Sequence, residues 1–419
     1  MIERLKEDLI KLGRFGRENS MKRVECYADL DPEKGISRPF GSEANRKARD
    51  YVVKEMRDAE MDVKIDRIGN IFGTKKGNDP DRDSILICSH IDSVVNGGMF
   101  DGALGVICGI EVIRELNEER FEHERDIEVG VFTGEEGSSF DFGLLGSSVV
   151  SGRISYDEAL EIENQDGKKV REVLEEIGYF GNFEKNIGEW GYSLEMHVEQ
   201  GPILEEKNVP IGIVEDITGI ETMIVTIEGE ADHAGTTPMD MRKDALVSAS
   251  GVIGALDKKA KEMDLSGEGS ASGTVGRLNV KPNETNVIPS KVKMGIDIRA
   301  NEEHKMERLV REVKKELKNL EETHGVKTEA KIVSKEFPME LSEEFIEEIE
   351  NSAKELDIKY KKMASRAGHD SQNIAEKIKS GMVFVPSVAG ISHSPMEWTE
   401  WEDIKNGAKV MLKTVKNLC

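Results

Sequence analysis

The spacing of apolar residues changes twice along this chain, and the changes divide it. After Ser42, whose hydroxyl suits a helix N-cap, Ala44, Ala48, Tyr51, Val52, Met56 and Ala59 fall on one face of a helix. The pattern then predicts a short strand near Ile71, a stronger one from Ser84, a helix from about Gly102 to Leu116 and a strand from Ile127 to Phe132. Strands from Tyr192 to Val198 and from Met382 to Val385 complete the set. Continuous apolar strands separated by helices predict an α/β sheet covered on both faces.

From about residue 213 to 334 the order is strand (Met223 to Ile227), helix (Arg242 to Met263), two strands (Gly273 to Val280, Val292 to Arg299), helix (Met306 to Leu320) and strand (Glu329 to Val333). That is β-α-β-β-α-β, a ferredoxin-like α+β arrangement. The expected organisation is a mixed-sheet α/β domain of residues 1–212 and 335–419, with residues 213–334 inserted as a second domain.

Composition narrows the function classes. A chain of 419 residues with 37% hydrophobic residues and a mean hydropathy of −0.47 has the balance of a soluble globular protein, with no apolar run of membrane-spanning length. The net charge of −24 argues against a nucleic-acid partner, which needs a basic surface. Most of that charge is expected on solvated helix faces such as Ile346 to Glu350, where apolar residues recur at helical spacing. The first ten residues alternate charge and aliphatic side chains at helical spacing, where a signal peptide would show basic residues and then an unbroken apolar stretch, so the expected compartment is the cytoplasm. Cys26, Cys88, Cys108 and Cys419 lie far apart with no paired-thiol motif and are expected to be reduced packing residues.

The chemistry lies at the ends of the predicted strands. His90 and Asp92 close one strand, Glu135 and Glu136 follow the next, His197 ends another, and His393 lies beyond the last, with Asp101 in a glycine-flanked loop. In open α/β sheets such residues converge on one rim. Three imidazoles and two or three carboxylates are the ligand set of two divalent cations bridged by one carboxylate. Asp92 can accept the second ring proton of His90, and Asp101 can bridge. Glu135 and Glu136 are adjacent, so their side chains diverge; Glu136 is assigned as ligand and Glu135 as general base.

Taken in order, Ser89 to Ser93, Asn96 to Gly102, Thr133 to Ser138, His197 to Pro202, Asp232 to Met239, Asn286 to Pro289, Asp297 to Arg299, Gly368 to Asp370 and Gly390 to His393 carry a resemblance across nearly the whole chain. They resemble the N-carbamoyl-L-amino acid hydrolase, allantoate amidohydrolase and β-ureidopropionase family, within a clan of di-zinc peptidases and deacylases. The resemblance implies two divalent metal ions, Zn2+ or else Mn2+, Co2+ or Ni2+. His90, Asp101 and His197 would hold one, and Asp101, Glu136 and His393 the other. It further implies that the inserted domain joins a homodimer, and that a small carboxylate substrate is bound by Gln200, Asn286, Arg299 and Gly390 with His233 stabilising an oxyanion, in its own or the partner subunit's site. His369 and Asp370 are expected to shape the site. Two departures bear on the substrate: Ser139 and Arg366 stand where many relatives have Arg and Gly. The implied reaction is hydrolysis of an N-carbamoyl-L-amino acid or related ureido acid to amino acid, ammonia and carbon dioxide; allantoate hydrolysis and an aminoacylase or peptidase activity are the alternatives. A metal-binding protein without turnover is the rival from another class.

Overall fold

The computed structural model describes residues 1–17, 24–140, 142–265 and 270–419. The strands are β1 (Asp62–Ile65), β2 (Ile71–Lys75), β3 (Ser84–His90), β4 (Ile127–Phe132), β5 (Trp190–Val198), β6 (Ile211–Ile217), β7 (Gly219–Glu228), β8 (Ala271–Lys281), β9 (Lys291–Ala300), β10 (Lys327–Glu336), β11 (Met339–Glu340), β12 (Tyr360–Ser365) and β13 (Lys379–Val385). Two compact units emerge: Met1–Glu215 with Glu340–Met363 and His369–Cys419, and Asp216–Met339 with Ala364–Gly368.

The first unit is built on a mixed sheet of order β1-β2-β4-β3-β5-β13-β6-β11, with β12 paired to β6. Its centre, β4-β3-β5-β13, is parallel. These strands are buried along almost their whole length, because helices Ala103–Glu119 and Trp401–Leu418 and the short helix Asp370–Ile374 pack against them. Register places His90 beside Phe132 and His197 beside Phe384, so the carboxyl ends of all four strands share one rim. Ser42 caps helix Glu43–Asp58 by accepting the Asn45 N–H at 3.1 Å.

The second unit is an antiparallel sheet of order β10-β7-β9-β8, covered by helices Ala245–Asp264 and Glu303–His324. Residues buried on β7 (Met223, Val225, Ile227) and β9 (Val292, Met294, Ile296, Ile298) alternate with partly exposed ones, the period-two pattern of a sheet with one covered face. They pack against Leu256, Leu309, Val313 and Leu317 in a core of their own. Cys88 and Cys108 are buried and free, but Cys26 is exposed and Cys419 half-buried, so only two of the four pack as expected.

Candidate metal and catalytic site

The first unit holds His90, Asp92, Asp101, Glu135, Glu136, His197, Gln200, Gly390 and His393, and the second holds His233, Asn286 and Arg299. On the rim of the first, the two oxygens of Asp101 face different partners. Oδ1 lies 3.5 Å from His90 Nε2 and 3.2 Å from His197 Nε2, whereas Oδ2 lies 3.2 Å from His393 Nε2. The same His393 nitrogen is 3.4 Å from Glu136, and Glu135 is 3.6 Å from His90 Nε2. Among the described residues four groups are close enough to hold a cation: His90, Asp101 and His197; Asp101, Glu136 and His393; His90, Glu135 and Glu136; and Glu195, His197 and His369. The first two share Asp101 and match the expected ligand sets.

Hydrogen bonds on the far sides of the rings fix the tautomers. His90 Nδ1 sits 3.2 Å from the Asp92 carbonyl, and His197 Nδ1 sits 3.0 Å from the Val198 carbonyl. A carbonyl can only accept, so each Nδ1 carries a proton and each Nε2 is the nitrogen that faces Asp101. The expectation that the Asp92 carboxylate would take the His90 proton is corrected here: that carboxylate lies 3.7 Å away and instead accepts the backbone N–H groups of Glu135 at 3.3 Å and Glu136 at 3.2 Å. The reason is chain geometry. The strand turns after His90, bringing the Asp92 main chain under the ring and releasing its side chain to anchor the Glu135-Glu136 turn.

The electrostatics fit cations. Burial, and then the charge of Asp101, push the Glu136 carboxyl up to about 7. Burial drives Glu135 well above the usual carboxylate range; the carboxylates of Glu136, Asp370 and Asp101 add to this, against His90. Its hydrogen bond to Asp101 raises His393 to about 9. Crowded carboxylates beside imidazoles whose Nε2 atoms all point at Asp101 form a nitrogen and oxygen donor set of the kind that holds divalent ions.

Other predicted residues are placed as follows. Gln200 donates from Nε2 to Asp101 Oδ2 at 2.8 Å, so this donor is engaged by the Asp101 carboxylate. Gly390 ends a short 3-10 turn, Val388–Gly390, ahead of His393. The His369 ring packs edge-on against His197 with centroids 4.6 Å apart, and Asp370 accepts the Ser147 hydroxyl at 2.6 Å. Ser139 donates to the Phe40 carbonyl, and Arg366 pairs with Asp264. In the second unit the Ala234 N–H donates to the Asn286 carbonyl, and His233 bridges to Val287, so the segments bearing His233 and Asn286 run side by side. His233 Nδ1 accepts the Gly235 N–H at 2.9 Å, which leaves Nε2 protonated as a donor. Arg299 forks onto Asp297 of its own strand through Nε at 2.8 Å and one terminal nitrogen at 3.1 Å.

Three supporting residues carried no sequence signal. Arg38 is buried, brought down to about 10 by that burial, and donates to the Ile91 carbonyl at 2.5 Å, with its charge felt at Asp92 and Glu136. Buried Glu195 accepts the Ser89 and Ser371 hydroxyls beneath His197. Buried Glu397 accepts the N–H groups of Phe100 and Asp101. A single acidic residue among 82 cannot be singled out by spacing.

Residues 86–417 match the family model of peptidase family M20/M25/M40. The chain belongs to this family. Its members depend on metal ions, in keeping with the candidate ligand groups on the rim. The chain is 36% identical over 420 residues to an N-carbamoyl-L-amino-acid amidohydrolase of Pseudomonas sp. (strain NS671), covering 99% of this chain and 97% of that protein. It is 31% identical over 387 residues to an allantoate amidohydrolase of Bacillus subtilis (strain 168), covering 90% and 91%. Among solved structures of the family, a hydantoinase/carbamoylase family amidase from Burkholderia multivorans superposes with a TM-score of 0.89 at 31% identity, covering 100% of this chain and 97% of that one. Among the described residues no helix is long and apolar enough to cross a membrane.

Proposed function

We propose that the protein is an amidohydrolase that cleaves a linear ureido acid, foremost an N-carbamoyl-L-amino acid, to amino acid, ammonia and carbon dioxide, with two divalent ions held by His90, Asp101, Glu136, His197 and His393. The observation that carries this reading is Asp101, whose Oδ1 faces the imidazoles of His90 and His197 and whose Oδ2 faces His393, itself beside Glu136. The substrate class is supported by the relatives, which carry the names of amidohydrolases of N-carbamoyl-L-amino acids and allantoate. Zn2+ fits the mixed nitrogen and oxygen donors, as do Mn2+, Co2+ and Ni2+.

Ions bound at these ligands would polarise the ureido carbonyl and lower the pKa of water. The remaining work falls to the chain. Glu135 faces His90 at 3.6 Å and Glu136 faces His393 at 3.4 Å; burial disposes the Glu135 carboxyl to hold a proton, so in this reading it takes one from the attacking water and delivers it to the departing nitrogen. The Nε2–H of His233 is the donor for the oxyanion of the tetrahedral state. Arg299 is steered by Asp297 along its Nε edge, which leaves the edge between its two terminal nitrogens for a substrate carboxylate; Asn286 and Gly390 complete the substrate contacts. A homodimer joined through the second unit belongs to the same reading: β8 is an outer strand with Leu278 exposed, and sedimentation should give twice the chain mass.

The deciding experiment measures ammonia release over a panel of N-carbamoyl-L-amino acids, β-ureido acids and allantoate, with N-acyl amino acids and dipeptides as comparison. Turnover of the last two alone would replace this reading by an aminoacylase or peptidase, and metal uptake without turnover of any would make the protein a metal binder.

A further inference from the structure

The loop carrying the bridging Asp101 and the loop carrying His393 are tied by one side chain. Glu397 is fully buried; its Oε1 accepts two consecutive backbone N–H groups, Phe100 at 2.9 Å and Asp101 at 3.0 Å, and its Oε2 accepts the Ser392 hydroxyl at 2.8 Å. Gly98 makes room for it, since a Cβ there would overlap the Glu397 carboxylate. The Ser392 oxygen lies at the same time 3.2 Å from Asp101 Oδ2.

A serine hydroxyl has one proton, so it donates to one of these two carboxylates and not both. Asp101 Oδ2 has two lone pairs, and Gln200 Nε2 already donates to it at 2.8 Å. A second donor would occupy the lone pair that faces His393 and Glu136. We propose that Glu397 is a positioning residue that draws the Ser392 hydroxyl toward itself, so that Asp101 Oδ2 keeps a free lone pair for the cation of the Asp101, Glu136 and His393 group. This rests on the metal-binding reading above, and it adds the device by which the ligand is kept open.

The variant Glu397→Gln separates this role from simple scaffolding. The amide oxygen still accepts the Phe100 and Asp101 N–H groups, but its NH2 now donates to Ser392, whose own proton has Asp101 Oδ2 as its acceptor. The hydroxyl then competes with the cation. Metal-stripped protein is dialysed to equilibrium against graded Zn2+, and bound zinc is measured by elemental analysis, with thermal unfolding of the metal-free protein as a check on folding. The expected result is two ions in the wild type and, in Glu397→Gln, a dissociation constant for one of them raised at least about 10-fold, the scale on which groups behind metal ligands act. Removing the competing hydroxyl in Glu397→Gln/Ser392→Ala should restore affinity to within about threefold of wild type, although the double variant has lost one more polar contact. Two ions bound by Glu397→Gln as tightly as by wild type, or no recovery in the double variant, overturns the proposal and leaves the metal site standing. Wild type that binds no zinc overturns the metal reading itself.

Discussion

Gly102 follows Asp101, the proposed bridging ligand, and its replacement by alanine tests the site through geometry alone. Its backbone has φ 63° and ψ −49°, and the Ala103 N–H reaches back to the Asp101 carbonyl at 2.6 Å, which makes Gly102 the centre of a γ-turn of the rare positive-φ kind. An L-residue there costs about 1–3 kcal/mol in backbone strain. The new Cβ would also stand 2.5 Å from His90 Cδ2 and closer still to Cε1 and Nε2, so the ring must retreat by about 1.0 Å to reach an ordinary 3.4 Å contact. Ligand distances tolerate only about 0.2 Å, and even losing a group behind a ligand weakens metal binding by about 10–100-fold. Gly102→Ala should therefore raise the dissociation constant of the ion held by His90, Asp101 and His197 by at least about 100-fold. At a Zn2+ concentration about 100 times the wild-type dissociation constant, the stabilisation from that ion would drop from about 2.7 to about 0.4 kcal/mol. The assay is the Zn2+-dependent rise in melting temperature together with zinc content by elemental analysis. Gly152→Ala is the control: Gly152 also has positive φ, at 79°, but nothing lies within 4 Å of its Cβ position, so it should lose backbone stability and keep both ions. Wild-type zinc affinity in Gly102→Ala, or equal zinc loss in both variants, would refute the reasoning.

Glu135→Gln keeps the size of the base but not its proton traffic, so kcat should drop by at least about 10²-fold while metal content is unchanged; metal loss there with retention in Glu136→Gln would mean that the two glutamates exchange roles. Chelation should abolish ammonia release and Zn2+, Mn2+ or Co2+ should restore it, whereas active protein free of transition metal by elemental analysis would end the metal reading. Arg299→Ala should cost about 2–5 kcal/mol in kcat/KM for a carboxylate substrate and little for the corresponding amide, and equal losses for both would exclude a direct ion pair.

The amino-acid order by itself determined the strands and helices with the strongest periodicity, because period-two and period-3.6 burial is a local property: β7 and β9 alternate as their sequences do, and Ser42 caps the helix it precedes, whereas β1, β6, β11 and β12 lie outside the strands that the pattern predicts. It also determined the candidate ligands, since a strand-end histidine or carboxylate is visible wherever its strand is. Partnerships were decided only by tertiary structure. That Asp92 anchors the Glu135-Glu136 turn while its carbonyl holds His90 depends on where the chain bends after β3. That Glu397 reaches back almost 300 residues to the Asp101 loop depends on a pairing between segments remote in sequence. A glutamate on a solvated helix and a glutamate buried against two backbone N–H groups are the same letter. Only the fold removes the water from one of them, and desolvation is what turns a common charge into a positioned acceptor.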